Sequence, residues 1–478
     1  MKRTFPAFVA GKRRETGDFD TIFSPFDGAP VTEVARATHT DMDAAIDCAF
    51  SSRRDLSARP AHERATLCDE IARALRARHA EFAELITRES GKPIRYSRAE
   101  VTRAVSTFEL GATVARTLGG EVMPADVSAA GRGDLLLYRR VARGVIGAIA
   151  PFNFPLNLVA HKVAPALAVG APIVLKPSHQ APGAALLLTE LIEELGIPVG
   201  GISTLHALPD VAEQLARDPR IAILSFTGSD AVGFKLKELA PKKQVLLELG
   251  GNAPAIVDAS ADLDDALPRL VEASFANAGQ ICIKAQRVLV HASIYEEFST
   301  RFVEATRGLA CGDPLDERTV VGPLIEQKHV ARVLKLVEEA EAAGARVLTG
   351  GGASGQVVEP TVLAGVKPEL RVYSEEVFGP VTILEPFSDF EHALTLANAT
   401  RFGLQASVFA RDLGRALRAF EALEYGSVLV NEAPTFRVDN YPYGGTKDSG
   451  IGREGVRFAA EEYTEPRVLV LRAPAGKP

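Results

Sequence analysis

Cysteine is scarce in this sequence: the 478 residues contain four, at positions 48, 68, 282 and 311. No two of them form a CxxC pair, and no histidine adjoins a cysteine. A disulfide framework and a zinc site of the usual ligand spacing are therefore not expected. The nine histidines contain no HxxxH pair either, so the sequence predicts no bound metal. Scattered cysteines in so long a chain are typical of a reducing compartment.

Long apolar runs and an excess of positive charge are also missing. The most apolar segment, VIGAIAPFNFPLNLVA, is interrupted by prolines and asparagines and is too short to span a bilayer. The basic N-terminus lacks the apolar run of a secretory signal. The net charge is −7, and no basic stripe carries interleaved aromatic residues. We therefore expect a cytoplasmic protein that binds neither membrane nor nucleic acid.

The pattern of apolar residues predicts a large α/β protein. Residues 41–118 place apolar side chains at three- and four-residue spacing, which indicates helices. From residue 145 onward, short runs rich in Val, Ile and Leu alternate with helical segments, which predicts a parallel sheet covered on both faces. A second region of this kind spans about 251–448. The chain length suits two such domains with a smaller third element.

Two strand-like segments stand apart from both regions. DLLLYRRV covers residues 134–141, and EPRVLVLRA covers residues 465–473. We predict that they pair with each other across a subunit interface. The alternative is two edge strands within one chain.

Two chemically unusual residues lie in apolar surroundings. Cys282, between Ile281 and Ile283 in FANAGQICIKAQRV, is either a buried structural cysteine or a nucleophile. Glu248 ends an apolar strand before a Gly-Gly turn in LLELGGNAP. Burial removes the hydration of a carboxylate and raises its pKa, which suits a general base near neutral pH. The alternative for Glu248 is a salt bridge beneath a loop.

Three further segments follow predicted strands, at the sheet edge where open α/β proteins bind ligands. Asn153 in APFNFPLN is suited to donating a hydrogen bond to an oxyanion, although asparagine more often stabilises a turn. Gly228 and Ser229 in SFTGSDAVG precede a predicted helix whose first amides suit a pyrophosphate. Lys176 in PIVLKPS is placed to reach a ribose or phosphate, but most lysines are simply solvated.

Together these segments resemble one family. The following motifs occur in this order over nearly the whole chain: APFNFPLN, LKPS, SFTGS, LELGGNAP, FANAGQICIKAQRV, GDPLDERTVVGPLI, EEVFGPV and YGGTKDSGIGREG. Their order and wording are similar to those of the NAD(P)-dependent aldehyde dehydrogenase superfamily. The separation of 34 residues between Glu248 and Cys282 also matches that superfamily.

The resemblance implies an α/β fold of the aldehyde dehydrogenase type in three parts. Residues 1–118 and 142–249 would form a Rossmann-like NAD(P)-binding domain, and residues 250–448 an α/β catalytic domain. Residues 119–141 and 449–478 would form a β-strand oligomerisation flap, which gives the two isolated strands a reason to pair between subunits. A homodimer or homotetramer is implied as well.

The resemblance also implies a reaction in which an aldehyde is oxidised to a carboxylic acid. Cys282 would attack the aldehyde to form a thiohemiacetal, while Asn153 and the Cys282 backbone N–H hold the oxyanion. Hydride transfer to the nicotinamide would leave a thioester, which is hydrolysed by water that Glu248 activates. Lys162 and Glu454 match family positions of the surrounding polar network.

Several positions match residues that bind the cofactor in the superfamily. These positions are Lys176, Ser178, Gly228, Ser229, Glu376 and Phe378. Lys176 and Ser178 would lie near the adenosine ribose, and Glu376 would hold the nicotinamide ribose. NAD-preferring members often have a glutamate where this chain has His179. NADP is therefore a credible cofactor, and we predict NAD or NADP, with NAD favoured.

The predicted substrate pocket is less conventional. Its aromatic candidates are Phe152, Phe154, Phe436 and Tyr443. GQICIKAQR and PTFRVDNYPYGG resemble the branch of lactaldehyde and non-phosphorylating glyceraldehyde-3-phosphate dehydrogenases. Ile281 stands where phosphate-using relatives tend to have arginine, which argues against a phosphorylated substrate. Arg103, His161 and Arg437 match positions of anion-holding groups, which favours an aldehyde with a small polar or acidic tail; the alternative is that both arginines are structural.

Two other functions stay open at this point. A CoA-acylating semialdehyde dehydrogenase would pass the acyl group to CoA, but such members generally lack the base glutamate, so Glu248 counts against it. A catalytically silent structural or binding relative is the second. The intact Cys282, Glu248 and Asn153 count against that reading.

Overall fold

The computed structural model describes residues 3–14 and 17–472. Its helices are α1 (His39–Ala58), α2 (Ala61–Ala77), α3 (His79–Ser90), α4 (Ile94–Thr117), α5 (Asn157–Val169), α6 (Gly183–Glu194), α7 (Pro209–Ala212), α8 (Gln214–Arg217), α9 (Asp230–Leu239), α10 (Leu263–Phe275), α11 (Tyr295–Arg307), α12 (Gln327–Ala342), α13 (Arg371–Ser374), α14 (Phe390–Asn398), α15 (Leu413–Ala422) and α16 (Val456–Glu462).

Its strands are β1 (Arg3–Phe5), β2 (Ala7–Val9), β3 (Lys12–Arg14), β4 (Phe19–Phe23), β5 (Pro30–Ala35), β6 (Gly120–Pro124), β7 (Leu135–Ala142), β8 (Val145–Ile149), β9 (Ile173–Lys176), β10 (Ile202–Thr204), β11 (Ile221–Thr227), β12 (Gln244–Glu248), β13 (Ala253–Val257), β14 (Ala285–His291), β15 (Arg346–Thr349), β16 (Ala353–Ser354), β17 (Val357–Val358), β18 (Thr361–Ala364), β19 (Val381–Phe387), β20 (Phe402–Gly403), β21 (Gln405–Phe409), β22 (Ser427–Val430), β23 (Thr446–Lys447), β24 (Gly450–Ile451) and β25 (Thr464–Leu471).

Two large sheets organise the chain. The first has eight strands in the order β24-β12-β11-β8-β9-β10-β2-β3, and its five central members, β12 to β10, run parallel. The second has seven strands in the order β15-β18-β19-β14-β13-β21-β22, of which only the edge strand β15 runs antiparallel to its neighbour. The predicted α/β architecture with parallel sheets is confirmed.

The first sheet is buried on both faces because its side chains alternate between two helical layers. Ile146 and Ala148 of β8 pack into the core formed with α2, α4, α5 and α6. Val145 and Ile149 of the same strand pack into the core formed with α1, α8 and α9. Successive side chains of a strand point to opposite faces, so a strand covered on both sides must be apolar throughout. Every residue of β8 is indeed buried.

The prediction that the two isolated strands pair across a subunit interface is wrong. β25 pairs antiparallel with β7 of the same chain, from Thr464 opposite Ala142 to Leu471 opposite Leu135, and β6 pairs with the other edge of β7. The reason lies in α16, which packs on α4 and α5 and delivers the chain directly to β7. Residue 473, the last of the predicted segment, lies outside the described residues.

No helix within the described ranges combines the length and the apolar character needed to cross a membrane.

Candidate active site

The carboxyl ends of three neighbouring strands bring the predicted site residues together. Asn153 follows β8, Ser229 follows β11, and Glu248 ends β12. These strands are parallel neighbours, so their ends share one sheet edge. All three residues line a cavity of about 330 Å³. Cys282, which precedes β14 of the second sheet, lines the same cavity, so residues far apart in sequence meet here.

A constrained turn presents Cys282. Asn277, Ala278 and Gly279 have consecutive positive φ angles of 52°, 54° and 67°. A Cβ at position 279 would collide with the Gly379 carbonyl oxygen, so only glycine fits there. Non-glycine residues adopt this conformation only where the surrounding structure imposes it. Burial raises the pKa of the Cys282 thiol to about 12, although the Tyr443 hydroxyl, 3.2 Å from the sulfur, acts in the opposite direction.

Asn153 joins its own loop to the cysteine loop. Its Nδ2 donates a hydrogen bond of 2.9 Å to the Gln280 carbonyl oxygen, two residues before Cys282. An amide group carries two N–H donors, so this bond leaves the second for a substrate oxygen. The arrangement places a candidate oxyanion donor in the cavity that Cys282 also lines.

Glu248 and Glu454 form a buried carboxylate pair with different environments. Burial, and then the negative charge of Glu454, raise the pKa of Glu248 well above its usual value. Its Oε2 has no hydrogen-bond partner among the described residues. Burial alone would raise the pKa of Glu454, but the Arg437 guanidinium, 2.8 Å away, together with His161 and Lys162, outweighs that effect and leaves the pKa below its usual value. One carboxylate is therefore fixed in ionised form, and the other is a candidate base.

Lys162 is buried beside this pair. Its Nζ donates to Ser225 Oγ at 3.0 Å and to Thr227 Oγ1 at 2.8 Å, and lies 3.9 Å from Glu454. Burial lowers the pKa of Lys162. The lysine thus ties the end of β11 to the carboxylates.

The features needed for a nicotinamide dinucleotide share the cavity with Cys282. Ser229 immediately precedes α9, and its hydroxyl makes no capping hydrogen bond. The Glu376 Oε1 accepts a hydrogen bond of 2.9 Å from the Gly251 N–H, and burial raises the pKa of Glu376 to about 7. A Cβ on Gly250 would lie 2.6 Å from Glu376 Oε2, so glycine leaves room for this carboxylate. Helix amides for a pyrophosphate and an acceptor for ribose hydroxyls fit such a cofactor.

Phe378 and Gly228 complete this part of the cavity. Phe378 has a positive φ of 44° and meets Phe152 edge-on, with ring centroids 6.0 Å apart. The Gly228 N–H donates to the Glu248 carbonyl oxygen at 3.0 Å. The predicted pyrophosphate turn is therefore linked directly to the backbone of the candidate base.

Lys176, Ser178 and His179 lie at the end of β9, outside the lining of this cavity. Burial lowers the pKa of Lys176 to about 8. Ser178 Oγ donates to Gln180 Oε1 at 2.8 Å. His179 lies 3.8 Å from Glu326, a carboxylate that the sequence analysis did not single out.

The predicted substrate residues divide into two groups. Those that line the cavity are Arg103, Phe152, Phe154, Arg437 and Tyr443. His161 and Phe436 are not lining residues: His161 is fully buried, and Phe436 is half-exposed while its neighbour Thr435 faces the cavity. His161 Nε2 lies 2.8 Å from Asp439, which also accepts from Arg103 at 2.6 Å. Asp439 was missed, because its sequence context, RVDNY, is polar and does not mark it as a buried carboxylate.

Both candidate anion-binding arginines already have carboxylate partners. Arg103 makes two hydrogen bonds to Asp439, of 3.2 and 2.6 Å. Arg437 binds Glu454, and its guanidinium carbon lies 3.7 Å from the centroid of the Tyr443 ring. Their positive charges are thus balanced within the site.

A buried ion pair holds the loop that carries Asn153. Lys92 Nζ binds the Glu100 carboxylate, and the other Glu100 oxygen accepts from the backbone N–H groups of Leu156 and Asn157 at 2.8 and 3.0 Å. Lys92 also lies 3.6 Å from the centroid of the Phe154 ring. Both charged residues are about 1% exposed. Sequence reasoning missed this pair, because nothing in the local pattern marks either residue as buried.

The described residues include no group of three or more His, Cys, Asp or Glu side chains positioned to hold a metal ion.

Comparison with known proteins identifies relatives over the full length. The sequence profile of the aldehyde dehydrogenase family matches residues 12–469. The chain is 37% identical over 470 residues to 3-sulfolactaldehyde dehydrogenase of Priestia aryabhattai, covering 98% of both sequences. The crystal structure of aldehyde dehydrogenase 21 from Physcomitrella patens, in complex with the reaction product succinate, matches with a TM-score of 0.97 at 40% identity over 99% of each chain.

A second solved structure contains a cofactor. Glyceraldehyde-3-phosphate dehydrogenase GapN from Methanocaldococcus jannaschii, complexed with NADP, matches with a TM-score of 0.92 at 35% identity. The match covers 95% of this chain and 100% of that one.

Replacing Lys92 with methionine should destabilise the fold by about 3–5 kcal/mol, because it leaves the Glu100 charge buried and uncompensated. Urea unfolding followed by circular dichroism measures the change. Arg98→Met is the matched control. Arg98 also lies on α4, but it forms an exposed ion pair with Glu317, and the loss of that pair should change stability little. Equal effects of the two substitutions would contradict the assigned role of the buried pair.

Proposed function

The chain belongs to the aldehyde dehydrogenase family and oxidises an aldehyde with NAD or NADP, and from this premise we propose that Cys282 is its nucleophile and Glu248 its general base. The observation that carries the proposal is the cavity that Cys282, Asn153 and Glu248 line together. Within it, the Ser229 turn and the Glu376 carboxylate are placed to hold the pyrophosphate and the nicotinamide ribose. Lys176 and Ser178, with His179 beside them, are assigned to the adenosine end.

The residues act in sequence on the substrate carbon. The Cys282 sulfur bonds to the aldehyde carbon, and the oxyanion accepts hydrogen bonds from Asn153 Nδ2 and the Cys282 backbone N–H. The bound nicotinamide supplies the hydride acceptor. Glu248 then takes a proton from water, the water oxygen attacks the thioester carbon, and the Cys282 thiolate leaves as the acid forms. The Lys162 cation balances the charge of the ionised base, and the Glu454 charge helps to keep the pKa of Glu248 raised.

The rival readings predict different environments for Glu248. A CoA-acylating enzyme has no need of a base there, whereas a buried carboxylate with an unpartnered oxygen supports hydrolysis. A silent relative has no need of the strained turn before Cys282.

The division of the chain into domains is also part of the proposal. Residues 1–118 and 142–249 are assigned to the cofactor domain, 250–448 to the catalytic domain, and 119–141 with 449–478 to the flap. The sheets support this, because all strands of the eight-stranded sheet except β24 precede residue 250 and all strands of the seven-stranded sheet lie within 250–448. A cytoplasmic location is supported by four free cysteines.

For the substrate we propose a small aldehyde with an anionic tail. Arg103 and Arg437 are among the cations that line the cavity, and we assign them to such a tail. The Priestia relative is named for an aldehyde with a sulfonate group, and the Physcomitrella structure holds succinate, a dicarboxylate. Ile281 in place of an arginine disfavours a phosphate.

Self-association as a dimer or tetramer is proposed from exposed apolar surface. Leu413, Leu417 and Phe420, on one face of α15, are 71%, 56% and 69% exposed. The adjoining β22 is the edge strand of the seven-stranded sheet, and β25 is the edge of the flap, with Val468–Leu471 exposed. Contiguous apolar patches beside free strand edges are typical of protein interfaces.

Glu248→Gln should lower steady-state turnover by about 10²–10⁴-fold, because a general base is lost. The first turnover should still produce a burst of one reduced cofactor per site, since the base acts after hydride transfer. Stopped-flow absorbance measures both. In the unaltered enzyme the raised pKa of Glu248 should make turnover fall as pH decreases through that value.

Cys282→Ala is the control, which should show neither burst nor turnover, and Cys311→Ala should behave like the unaltered enzyme because Cys311 is exposed and outside the cavity. A dependence of steady-state turnover on added CoA would favour the acylating alternative. Turnover that survives in Cys282→Ala would overturn the assignment of the nucleophile.

Arg103→Met should raise KM for succinate semialdehyde about 10-fold or more, while KM for propionaldehyde changes little. A charge-assisted hydrogen bond contributes about 1.5–3 kcal/mol, which corresponds to this factor or more. Initial rates with both aldehydes measure the difference. Arg98→Met, on the solvent side of the same helix, serves as control. An equal rise in KM for both aldehydes in Arg103→Met would show that Arg103 has a structural role.

Leu417→Glu combined with Phe420→Glu should shift the molar mass in light scattering towards the monomer, because two charges replace the proposed apolar contact. Val199→Glu alters an apolar residue exposed elsewhere and should leave the mass unchanged. A mass that is unaffected by the double substitution would exclude α15 from the interface.

A further inference from the structure

One hydroxyl group contacts the reacting sulfur. Tyr443 Oη lies 3.2 Å from Cys282 Sγ, within the range of a hydrogen bond to sulfur. The Tyr443 side chain is 2% exposed and packs with Ile283 and Leu404 around the cysteine. This is a direct contact with the atom that the proposed mechanism uses as nucleophile.

Two contacts hold the phenol in this position. The backbone of Tyr443 pairs with that of Glu454 through two hydrogen bonds of 2.9 and 2.6 Å. On the ring face, the Arg437 guanidinium carbon lies 3.7 Å from the centroid. A cation on the π face draws electron density from the ring, which strengthens the phenolic O–H as a donor. The hydroxyl is therefore both immobilised and polarised.

The charged groups around the Cys282 sulfur do little to stabilise a thiolate, so a hydrogen-bond donor is needed. Besides Tyr443, the groups that act on Cys282 are Glu376, Glu248 and Arg437. The two carboxylates disfavour a thiolate, and the Arg437 charge is shared with Glu454. Burial raises the pKa of Cys282, and the Tyr443 hydrogen bond lowers it.

The direction of the hydrogen bond follows from the acidities. Burial raises the pKa of Tyr443 well above its usual value, so the phenol keeps its proton when the thiol loses its own. Against a thiolate, Tyr443 can then only donate.

We propose that Tyr443 is a further catalytic residue, which donates its phenolic O–H to the Cys282 thiolate and so increases the fraction of reactive nucleophile. The inference rests on the proposed role of Cys282. In this step the thiol S–H bond breaks, its electron pair stays on sulfur, and the proton passes to water in the cavity. The Tyr443 O–H bond remains intact throughout.

The test is the rate at which iodoacetamide alkylates Cys282 as a function of pH, measured by mass spectrometry of the Cys282 peptide. In Tyr443→Phe the rate at pH 7 should fall about tenfold, equivalent to about 1.4 kcal/mol, and the midpoint should move up by about one pH unit. The exposed Cys311 provides an internal reference in each sample. The loss in kcat/KM should likewise recover at high pH, where the thiolate forms without help.

Tyr441→Phe is the matched control. Its ring lies 6.4 Å from that of Tyr443, but its hydroxyl donates to Gln405 Oε1 at 2.8 Å rather than to the sulfur. It should leave the alkylation profile unchanged. Unchanged binding of NADH would show that each variant is folded.

A Tyr443→Phe profile that coincides with that of the unaltered enzyme would overturn the proposal, as would equal shifts in both phenylalanine variants. Chains that carry difluorotyrosine at all eight tyrosines give a second measurement in which every phenolic hydroxyl group is kept. Their more acidic phenols should lower the midpoint, and an unchanged midpoint would count against the proposal. Alkylation requires neither aldehyde nor cofactor, so this test can fail while Cys282→Ala still confirms the nucleophile.

Discussion

The burial of two carboxylates, Glu248 and Glu454, in the cavity that Cys282 lines is the constraint on which the rest of the site depends. A charge that loses its hydration must gain a partner or change its protonation state. Glu454 gains a partner in Arg437. Glu248 forms no ion pair with the described residues, and its pKa is raised instead. Two carboxylates in one pocket thereby acquire different acid–base behaviour without any difference in residue type.

This constraint also explains why the site is assembled from so many segments. Parallel strands bring Asn153, Ser229 and Glu248 to one sheet edge, but the sulfur comes from a turn before the second sheet. Lys92, just before α4, and Glu100, on α4, hold the loop of Asn153 from outside the sheet. The loop that carries Asn153 is thus held by an ion pair that does not itself line the cavity.

Helices and strands with strong periodic patterns could be predicted from the sequence, whereas ion pairs between residues far apart in the chain could not. The apolar runs at residues 145–149 and 221–227 are strands of a parallel sheet as predicted, since burial on both faces leaves an unmistakable composition. The strand that pairs with β25 was predicted correctly, but it belongs to the same chain and not to a second subunit, because alternation along a strand says nothing about which chain supplies its neighbour. Asp439 and its bonds to Arg103 were invisible for a similar reason: 336 positions separate them. The sequence motifs identified residues that line the cavity, but only the structure showed which buried charged residues bind one another.

Asp439 competes with any incoming anion for Arg103, because it already accepts hydrogen bonds from that arginine. An anion that enters must replace a carboxylate that is already oriented and tethered, so its own affinity is measured against that of an attached rival. A free ion of the surrounding solution is not tethered in this way. The anionic tail of the proposed substrate becomes tethered once the aldehyde carbon is bonded to the Cys282 sulfur, so it competes at a comparable effective concentration. Stable occupancy of the pocket therefore requires a molecule that carries both the aldehyde and the anionic group.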